Sequence, residues 1–260
     1  MVNSREADRE LVTAYGQRFG WETLPTRDRL GLERIHRAHI RTIPFENLDV
    51  VARRPISLKK QDLIQKLLRS PRGGGCFELH GLLAAYLSAL GFPSHLVAGR
   101  YVNQRGEPSE PDDHAAVWVV AEIPYLLDVS FGSETQGPLP INHTQGGATD
   151  GLFITTGPSG DLSVRRRVGD QENDVFLVDP TPRTLSSFEA ALRRHEQPGR
   201  PFARERVVRL ATERGQLLLS GSRLREEEAG ACRESQVEES QVMGLLRNRF
   251  GIIVEALGSP

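Results

Sequence analysis

Three consecutive glycines at 73–75 lie directly before Cys76, and a strongly apolar stretch follows the cysteine. Glycine lets the backbone turn sharply and leaves the neighbouring side chain accessible. The apolar residues after the cysteine recur at helical spacing: Leu79, Leu82, Leu83, Tyr86, Leu87 and Leu90. The pattern therefore predicts a sharp turn and then a helix that begins at Cys76. A helix N-terminus is expected to lower the pKa of this thiol.

A histidine and an aspartate downstream complete a candidate catalytic set. His114 opens one strand-like apolar run, and Asp128 closes the next one. A thiol, an imidazole and a carboxylate are the groups required for covalent acyl transfer, in which the base activates the thiol and the carboxylate orients the base. A buried core cysteine is the simplest alternative for Cys76. The glycines, the helix start and the downstream groups favour a nucleophile.

The sequence leaves open how closely His114 and Asp128 approach each other. A tight turn centred on Ala121 and Glu122 would place them nearly opposite each other on one face of a hairpin. A turn at Pro124 would shift the register by several residues and separate them. Because a carboxylate in an apolar strand is costly without a partner, Asp128 is expected to pair with His114.

The other histidines offer competing interpretations. His80 lies four residues after the cysteine, on the same face of the predicted helix, and is an alternative base or a metal ligand. His36 and His39 could extend such a metal site. No Cys/His pair has the spacing of a zinc finger, so we predict no metal. The remaining histidines have no informative sequence context: His95, His143 and His195.

Composition and charge exclude several classes of function. The net charge of −1 over 260 residues gives no reason to expect nucleic acid or a membrane surface as a partner. No apolar stretch approaches the ~20 residues of a transmembrane helix, and the polar N-terminus does not read as a signal peptide. Nucleotide-binding glycine motifs are absent from the sequence. Two cysteines suggest a reducing, cytoplasmic location.

Three regions with different patterns predict an α+β fold. Residues 1–95 are mainly helical, and 96–185 contain six short strands that fit a small barrel or meander. Residues 186–260 have mixed α/β character, with a hairpin around Arg214 and Gly215 and a helix at 242–250. The charged run at 226–228 is predicted to be a solvated face. The six strands are expected at 96–102, 115–120, 125–129, 152–156, 162–168 and 175–178.

Several motifs, taken together and in order, resemble the arylamine N-acetyltransferases. The likeness spans roughly residues 30–225 and rests on the segments 43–48, 72–78, the strand from His114, 128–132, 201–202 and 215–221. It implies a helical N-terminal domain at 1–95, a central β-barrel at 96–185 and a C-terminal α/β lid at 186–260, with a cysteine-protease-like core. It also implies that Cys76 is the nucleophile, His114 its base and Asp128 the orienting carboxylate.

The resemblance further implies a two-step reaction without a tightly bound cofactor. An acyl group passes from a coenzyme A thioester to the cysteine, and then to an aromatic amine or hydrazine. By position, Phe45 and Phe131 would line the acceptor pocket, and Phe202 would approach the thioester donor arm. Apart from the resemblance, the glycine-containing loop with Gly132 directly after Asp128 is expected either to line an acyl pocket or to pass a cofactor's phosphates.

Three positions depart from the family pattern: Gly75 replaces an aromatic residue, His80 replaces Asn, and Ser130 replaces Gly. Loss of an aromatic side chain beside the nucleophile opens ~150–250 Å² of contact surface, so Gly75 is expected to enlarge the substrate pocket. The same fold and triad serve amide synthases that release ansamycin-type polyketides. In those enzymes the acyl chain arrives on an acyl carrier protein, and its own aromatic amine closes the macrolactam.

The sequence therefore narrowly favours a macrolactam-forming amide synthase of antibiotic biosynthesis, with an amino-polyketide substrate and a polyketide synthase carrier protein as partner. The first alternative is a conventional acetyl-CoA-dependent arylamine N-acetyltransferase. A further alternative is a cysteine hydrolase or transglutaminase-like enzyme, which uses the same order of Cys, His and Asp. A non-enzymatic binding module is the alternative from outside enzyme chemistry, and the intact set of catalytic groups argues against it.

Overall fold

A buried helix that begins at Cys76 forms the centre of the N-terminal region. The computed structural model describes residues 4–103, 105–130, 137–141, 151–157 and 160–255. The helices of this region are α1 (Ser4–Phe19), α2 (Arg29–Thr42), α3 (Leu48–Val51), α4 (Lys60–Leu63), which continues as a π-helical turn, and α5 (Cys76–Ala89). α1, α4 and two strands pack around α5. This surrounding explains why α5 is apolar on nearly every side.

Seven antiparallel strands follow and form a nearly closed barrel. Their order is β5-β4-β3-β2-β8-β7-β6, and the edge strand β5 lies against β6. The strands are β2 (Ser94–Tyr101), β3 (His114–Val120), β4 (Pro124–Leu127), β5 (Leu139–Pro140), β6 (Leu152–Thr156), β7 (Leu162–Val168) and β8 (Gln171–Arg183). The predicted strands are all present. β8 is longer than the sequence indicated, and β5 was not predicted.

The central strands of the barrel have two apolar faces. In β3, Ala115, Val117 and Val119 pack in the core around α5. Ala116 and Trp118, which alternate with them, pack in the barrel core instead. This alternation follows from the two-residue period of a strand, and it brings the start of β3 next to the start of α5.

The C-terminal region carries a second sheet, of order β1-β9-β10-β11-β12. Its elements are β1 (Phe45–Glu46), α6 (Glu189–His195), α7 (Pro201–Arg204), β9 (Val207–Ala211), β10 (Gly215–Ser220), β11 (Arg223–Glu228), β12 (Ala231–Gln236) and α8 (Glu239–Phe250). β1 comes from the helical region and pairs with β9, so the sheet reaches back to the segment before Cys76.

The predicted hairpin around Arg214 and Gly215 and the terminal helix are confirmed. The charged run at 226–228 lies on β11, which pairs with β12, and its side chains are partly or fully exposed, as predicted for a solvated face. The domain boundaries at 95 and 185 stay a prediction. Among the described helices, none is long and apolar enough to span a bilayer.

Candidate active site

The loop before Cys76 places the cysteine at the first position of α5. Gly75 is the N-cap, and its backbone N–H donates to Glu78 Oε2 at 2.9 Å. A Cβ at Gly73 would lie 2.0 Å from the carbonyl oxygen of Pro44, so only glycine fits there. A Cβ at Gly75 would meet only Glu78 Oε2, at 3.8 Å. The close backbone approach therefore explains Gly73, while Gly75 leaves space for a side chain beside Cys76.

A buried ionic network holds this loop in place. Lys66 Nζ lies 2.7 Å from Asp49 Oδ2 and 2.8 Å from Glu78 Oε1. Arg72 lies 2.7 Å from Glu46 Oε1 and 2.9 Å from Asp49 Oδ1. Burial by itself would lower the pKa of Lys66, but the surrounding carboxylates reverse the effect and raise it. The network therefore stays charged and ties α3, the π-helical turn and α5 together.

Lys66→Met is expected to destabilise the fold by about 3 kcal/mol, because removal of one partner leaves buried carboxylates without their counter-charge. The free energy of unfolding in urea measures this effect. Lys60→Met is the matched control. Its ammonium pairs with Asp8 in a half-exposed position, so its loss should cost less than about 1 kcal/mol. Equal losses in the two variants would show that the network contributes no more than a surface pair.

His114 and Asp128 form a direct hydrogen bond. His114 Nε2 lies 2.5 Å from Asp128 Oδ2, and both side chains are buried. In the hairpin, Val117 pairs with Leu127, which places position 128 opposite Ala116. The two residues are therefore diagonal neighbours on one face, and diagonal neighbours remain within reach of long side chains. The predicted pairing is confirmed, although the register differs by two residues from exact opposition.

Several donors surround the Asp128 carboxylate. Its Oδ1 accepts from the backbone N–H and the hydroxyl of Ser130, at 2.9 and 2.8 Å. The backbone carbonyl of Asp128 accepts from His36 Nε2 at 2.8 Å. Burial alone would raise the pKa of Asp128, but its pairing with His114 holds it well below the usual value. Ser130, one of the departures from the family pattern, thus adds a donor to the carboxylate.

The proton on His114 is located by its partners. Nε2 donates to Asp128, so Nδ1 carries the lone pair and lies 3.0 Å from the hydroxyl of Tyr101. Burial lowers the pKa of His114, and the charge of Asp128 opposes this shift. The resting imidazole is therefore neutral, with Nδ1 as the nitrogen that can accept a proton.

The predicted low pKa of Cys76 is wrong for the resting structure. The cysteine is only 4% exposed, so burial raises the pKa of its thiol, and the negative charge of Asp128 raises it further. The backbone N–H groups of Ala115 and Phe77 lower the pKa but do not outweigh burial. Burial therefore favours the neutral form of the Cys76 thiol in this structure.

His80 is neither a second base nor part of a convincing metal site. Its two ring nitrogens already contact the Cys76 carbonyl and the Val129 N–H, at 2.8 and 3.0 Å. Ligand atoms of His80, His114 and Asp128 lie within 4.8 Å of one another. However, the 2.5 Å hydrogen bond between His114 and Asp128 occupies the atoms that a metal would need.

A narrow cavity of about 20 Å³ reaches Cys76 among the described residues. That volume holds about one water molecule. Gly75, Phe202 and His195 contribute to its wall, and Phe202 and His195 also line a wider cavity of about 410 Å³. The two cavities therefore share these side chains.

Sequence reasoning missed His195. Its ring stacks between Phe77 and Phe202, at centroid distances of 5.4 and 5.1 Å, and Nε2 lies 2.8 Å from Asp113 Oδ1. Only the adjacency of Asp113 to the predicted base hinted at this arrangement in the sequence.

The predicted substrate-binding residues are brought together in part. Phe45 and Phe202 contact each other with ring centroids 6.0 Å apart. Asn47 holds the backbone of Phe202 in place, because the Asn47 amide donates to the carbonyl oxygen of Phe202 at 2.8 Å. Phe131 and Gly132 lie outside the described residues, so their predicted roles remain predictions.

Comparisons with known proteins agree with this geometry. A sequence model of the family described as N-acetyltransferase matches residues 30–258. The arylamine N-acetyltransferase of Mycolicibacterium smegmatis is 31% identical over 255 residues, covering 92% of this chain and 90% of the relative. The solved arylamine N-acetyltransferase of Salmonella typhimurium has a TM-score of 0.87 at 25% identity, covering 95% of this chain and 93% of that one.

The solved M. smegmatis enzyme has a TM-score of 0.85 at 28% identity, covering 93% of this chain and 92% of that one. Both the sequence and the fold therefore match over nearly the whole length, and the resemblance seen in the motifs is confirmed. The chain belongs to the arylamine N-acetyltransferase family and is an acyltransferase.

Proposed function

We propose that Cys76 carries an acyl group from a coenzyme A thioester to an aromatic amine, with His114 as base and Asp128 as its orienting carboxylate. The observation that carries this proposal is the buried hydrogen bond between His114 and Asp128 beside the first turn of α5. A neutral imidazole held by a carboxylate accepts a proton more readily, because the carboxylate stabilises the imidazolium that forms.

The reaction then proceeds in two transfers. His114 Nδ1 takes the thiol proton as the Cys76 sulfur attacks the thioester carbonyl, and the departing thiolate recovers that proton. In the second transfer the amine attacks the acyl-enzyme, loses a proton to His114 and leaves as the amide, and the Cys76 sulfur is protonated again. Because Tyr101 contacts Nδ1 in the resting state, its hydroxyl must yield to the thiol during each transfer.

The donor that we favour is acetyl-CoA. The relatives described above are named as arylamine N-acetyltransferases. The narrow cavity at Cys76 leaves little room for a bulky acyl chain, and the wider cavity that shares Phe202 in its wall has room for the donor arm. These points reverse the narrow preference for a polyketide substrate drawn from the sequence.

Intact-protein mass spectrometry after incubation with acetyl-CoA tests the proposal. We expect the protein to gain one acetyl group on Cys76 and to lose it when an arylamine is added, with the acetylated amine as product. A reactive Cys76 that gains no acetyl group would contradict the choice of donor. Release of free acetate at the same rate with and without the amine would instead support a cysteine hydrolase or transglutaminase-like enzyme.

One observation keeps a second candidate function open, namely an amide synthase that closes a macrolactam from an amino-polyketide on a carrier protein. Gly75 leaves space next to the nucleophile, since a Cβ there meets only one side-chain atom within 4 Å. Such space would suit a bulky acyl chain. For either candidate we propose a reducing, cytoplasmic setting, which fits the two free thiols at Cys76 and Cys232.

Gly75→Tyr is expected to separate these two candidates. A tyrosine would fill the space beside Cys76, and overpacking of about 1–3 kcal/mol corresponds to a loss of roughly 5- to 150-fold for a long acyl donor. Transfer of a short acyl group should be unchanged or improved. The measurement is kcat/KM for a short and a long N-acetylcysteamine thioester in both proteins.

Gly244→Tyr serves as the control, because that glycine is exposed on α8 with nothing near its Cβ position. If the wild-type protein already rejects the long thioester, the amide synthase candidate fails. If Gly75→Tyr loses activity equally on both donors, the glycine serves the backbone turn and not the pocket.

A further inference from the structure

His80 connects the two parts of the chain that carry the candidate nucleophile and the candidate carboxylate. Its side chain is fully buried within α5. Nδ1 lies 2.8 Å from the carbonyl oxygen of Cys76, and Nε2 lies 3.0 Å from the backbone nitrogen of Val129. Val129 directly follows Asp128. One imidazole therefore spans from the start of the helix to the end of the hairpin.

The partners determine the protonation of this ring. A backbone N–H can only donate, so Nε2 must offer a lone pair to Val129. A carbonyl oxygen can only accept, so Nδ1 must carry the hydrogen that points at Cys76. The neutral Nδ1–H tautomer is therefore the one form of His80 that satisfies both contacts.

A third contact is unused in this tautomer. His80 Nε2 also lies 3.3 Å from Asp128 Oδ1, but without a hydrogen it donates nothing to the carboxylate. Protonation at Nε2 would reverse the situation: the contact with the Val129 N–H would become repulsive, and Nε2–H would donate to Asp128. One oxygen of the Asp128 carboxylate, Oδ1, would then accept from His80, so the carboxylate would no longer be directed at His114 alone.

We propose that His80, in its neutral tautomer, is a positioning residue that aligns Cys76 with the His114–Asp128 pair. It acts through Asp128 and the backbone of Val129 and does not touch the substrate. The proposal rests on the triad chemistry proposed above. It gives a physical role to the histidine that stands where the family pattern has Asn.

The other titratable groups around His80 come from each element packed against it. Asp128 follows β4, His114 opens β3 at a ring distance of 5.4 Å, and the Cys76 thiol lies on α5 itself. His36 and His39 face it from α2, and burial lowers the pKa of both. A test has to change His80 while leaving all of these groups in place.

Two variants separate the contributions of His80. Gln places its Oε1 near the position of Nε2, so His80→Gln can still accept from the Val129 N–H but does not titrate. His80→Leu removes both contacts in a helix that is otherwise apolar. Both are made in a Cys232→Ser background, because Cys232 is exposed and would react with thiol reagents.

Acylation of Cys76 by p-nitrophenyl acetate and its alkylation by iodoacetamide are measured at neutral pH. We expect His80→Leu to slow acylation by about 10²-fold, the size of effect that a small misplacement of reacting groups produces. His80→Gln should stay close to wild type, because it keeps the contact with the Val129 N–H.

Folding of each variant is checked by thermal unfolding. If His80→Leu does not fold, His80→Ala takes its place, because it removes the same two contacts with a smaller side chain. Acylation by either folded variant close to wild type, or a loss in His80→Gln as large as theirs, would overturn the proposal. Cys76→Ser distinguishes a failure of the His80 proposal from a failure of the proposed function. If that variant still acylates at the active site, the triad chemistry itself is wrong.

Discussion

Cys76→Ser is expected to abolish acyl transfer, with a loss of at least about 10⁴-fold in turnover and no acyl-enzyme. The serine oxygen fits the position of the sulfur at the start of α5. Its hydroxyl, however, stays protonated at neutral pH and is a far weaker nucleophile than a thiolate. Intact-protein mass after incubation with acetyl-CoA and chromatographic detection of the acetylated arylamine measure the two effects.

Cys232→Ser is the matched control. That cysteine is exposed on β12 and far along the chain from the triad, so its removal should leave both the acyl-enzyme and the turnover unchanged. Substantial turnover by folded Cys76→Ser would refute a covalent mechanism. A loss of the adduct in Cys232→Ser instead would move the nucleophile to the other thiol.

Asp128→Asn is expected to slow acyl-enzyme formation by at least about 10²-fold while the fold is retained. Asn preserves the shape of the side chain and can still accept from Ser130. It removes the negative charge that stabilises a protonated His114. Its amide can also donate to Nε2, which would leave the hydrogen of the imidazole on Nδ1, the nitrogen that has to accept the thiol proton. Stopped-flow acylation by p-nitrophenyl acetate measures the rate.

Asp179→Asn provides the comparison, because Asp179 forms a half-exposed ion pair with Arg183 on β8. It should acylate at the wild-type rate. Thermal unfolding of both variants shows whether a change in rate comes with a change in stability. An Asp128→Asn protein that acylates within about twofold of wild type would show that the carboxylate only satisfies buried donors, as its contacts with Ser130 and His114 also allow.

Local sequence patterns predicted much of the fold. Helical spacing after the glycines placed the start of α5 at Cys76, where the structure has it. Strand patterns located most of the barrel, since alternating apolar residues report burial of a face. β11 and β12 were missed because their residues are mostly charged and exposed, so they lack that alternation. β5 was missed because two residues carry no period.

The candidate site, like the fold, could be predicted from the sequence only in part. The order of Cys76, His114 and Asp128 was readable because it depends on residue types and on the elements that each begins or ends. The register that joins the last two was not readable, because it depends on the turn between strands. The stacking of His195 and the bridging contacts of His80 join segments far apart in the chain, and no local pattern records them.

The sequence by itself determined the residue types of the site, the helix that presents the cysteine and the family to which the chain belongs. Only the tertiary structure decided the direction in which the pKa of Cys76 is shifted. Helix position alone predicted a lowered pKa, but burial raises the pKa of Cys76, and Asp128 adds to that effect. The burial of Cys76 and the charges that act on it depend on contacts with segments that are distant in the chain. A helix start is a local property, and therefore it was the part that the sequence could predict.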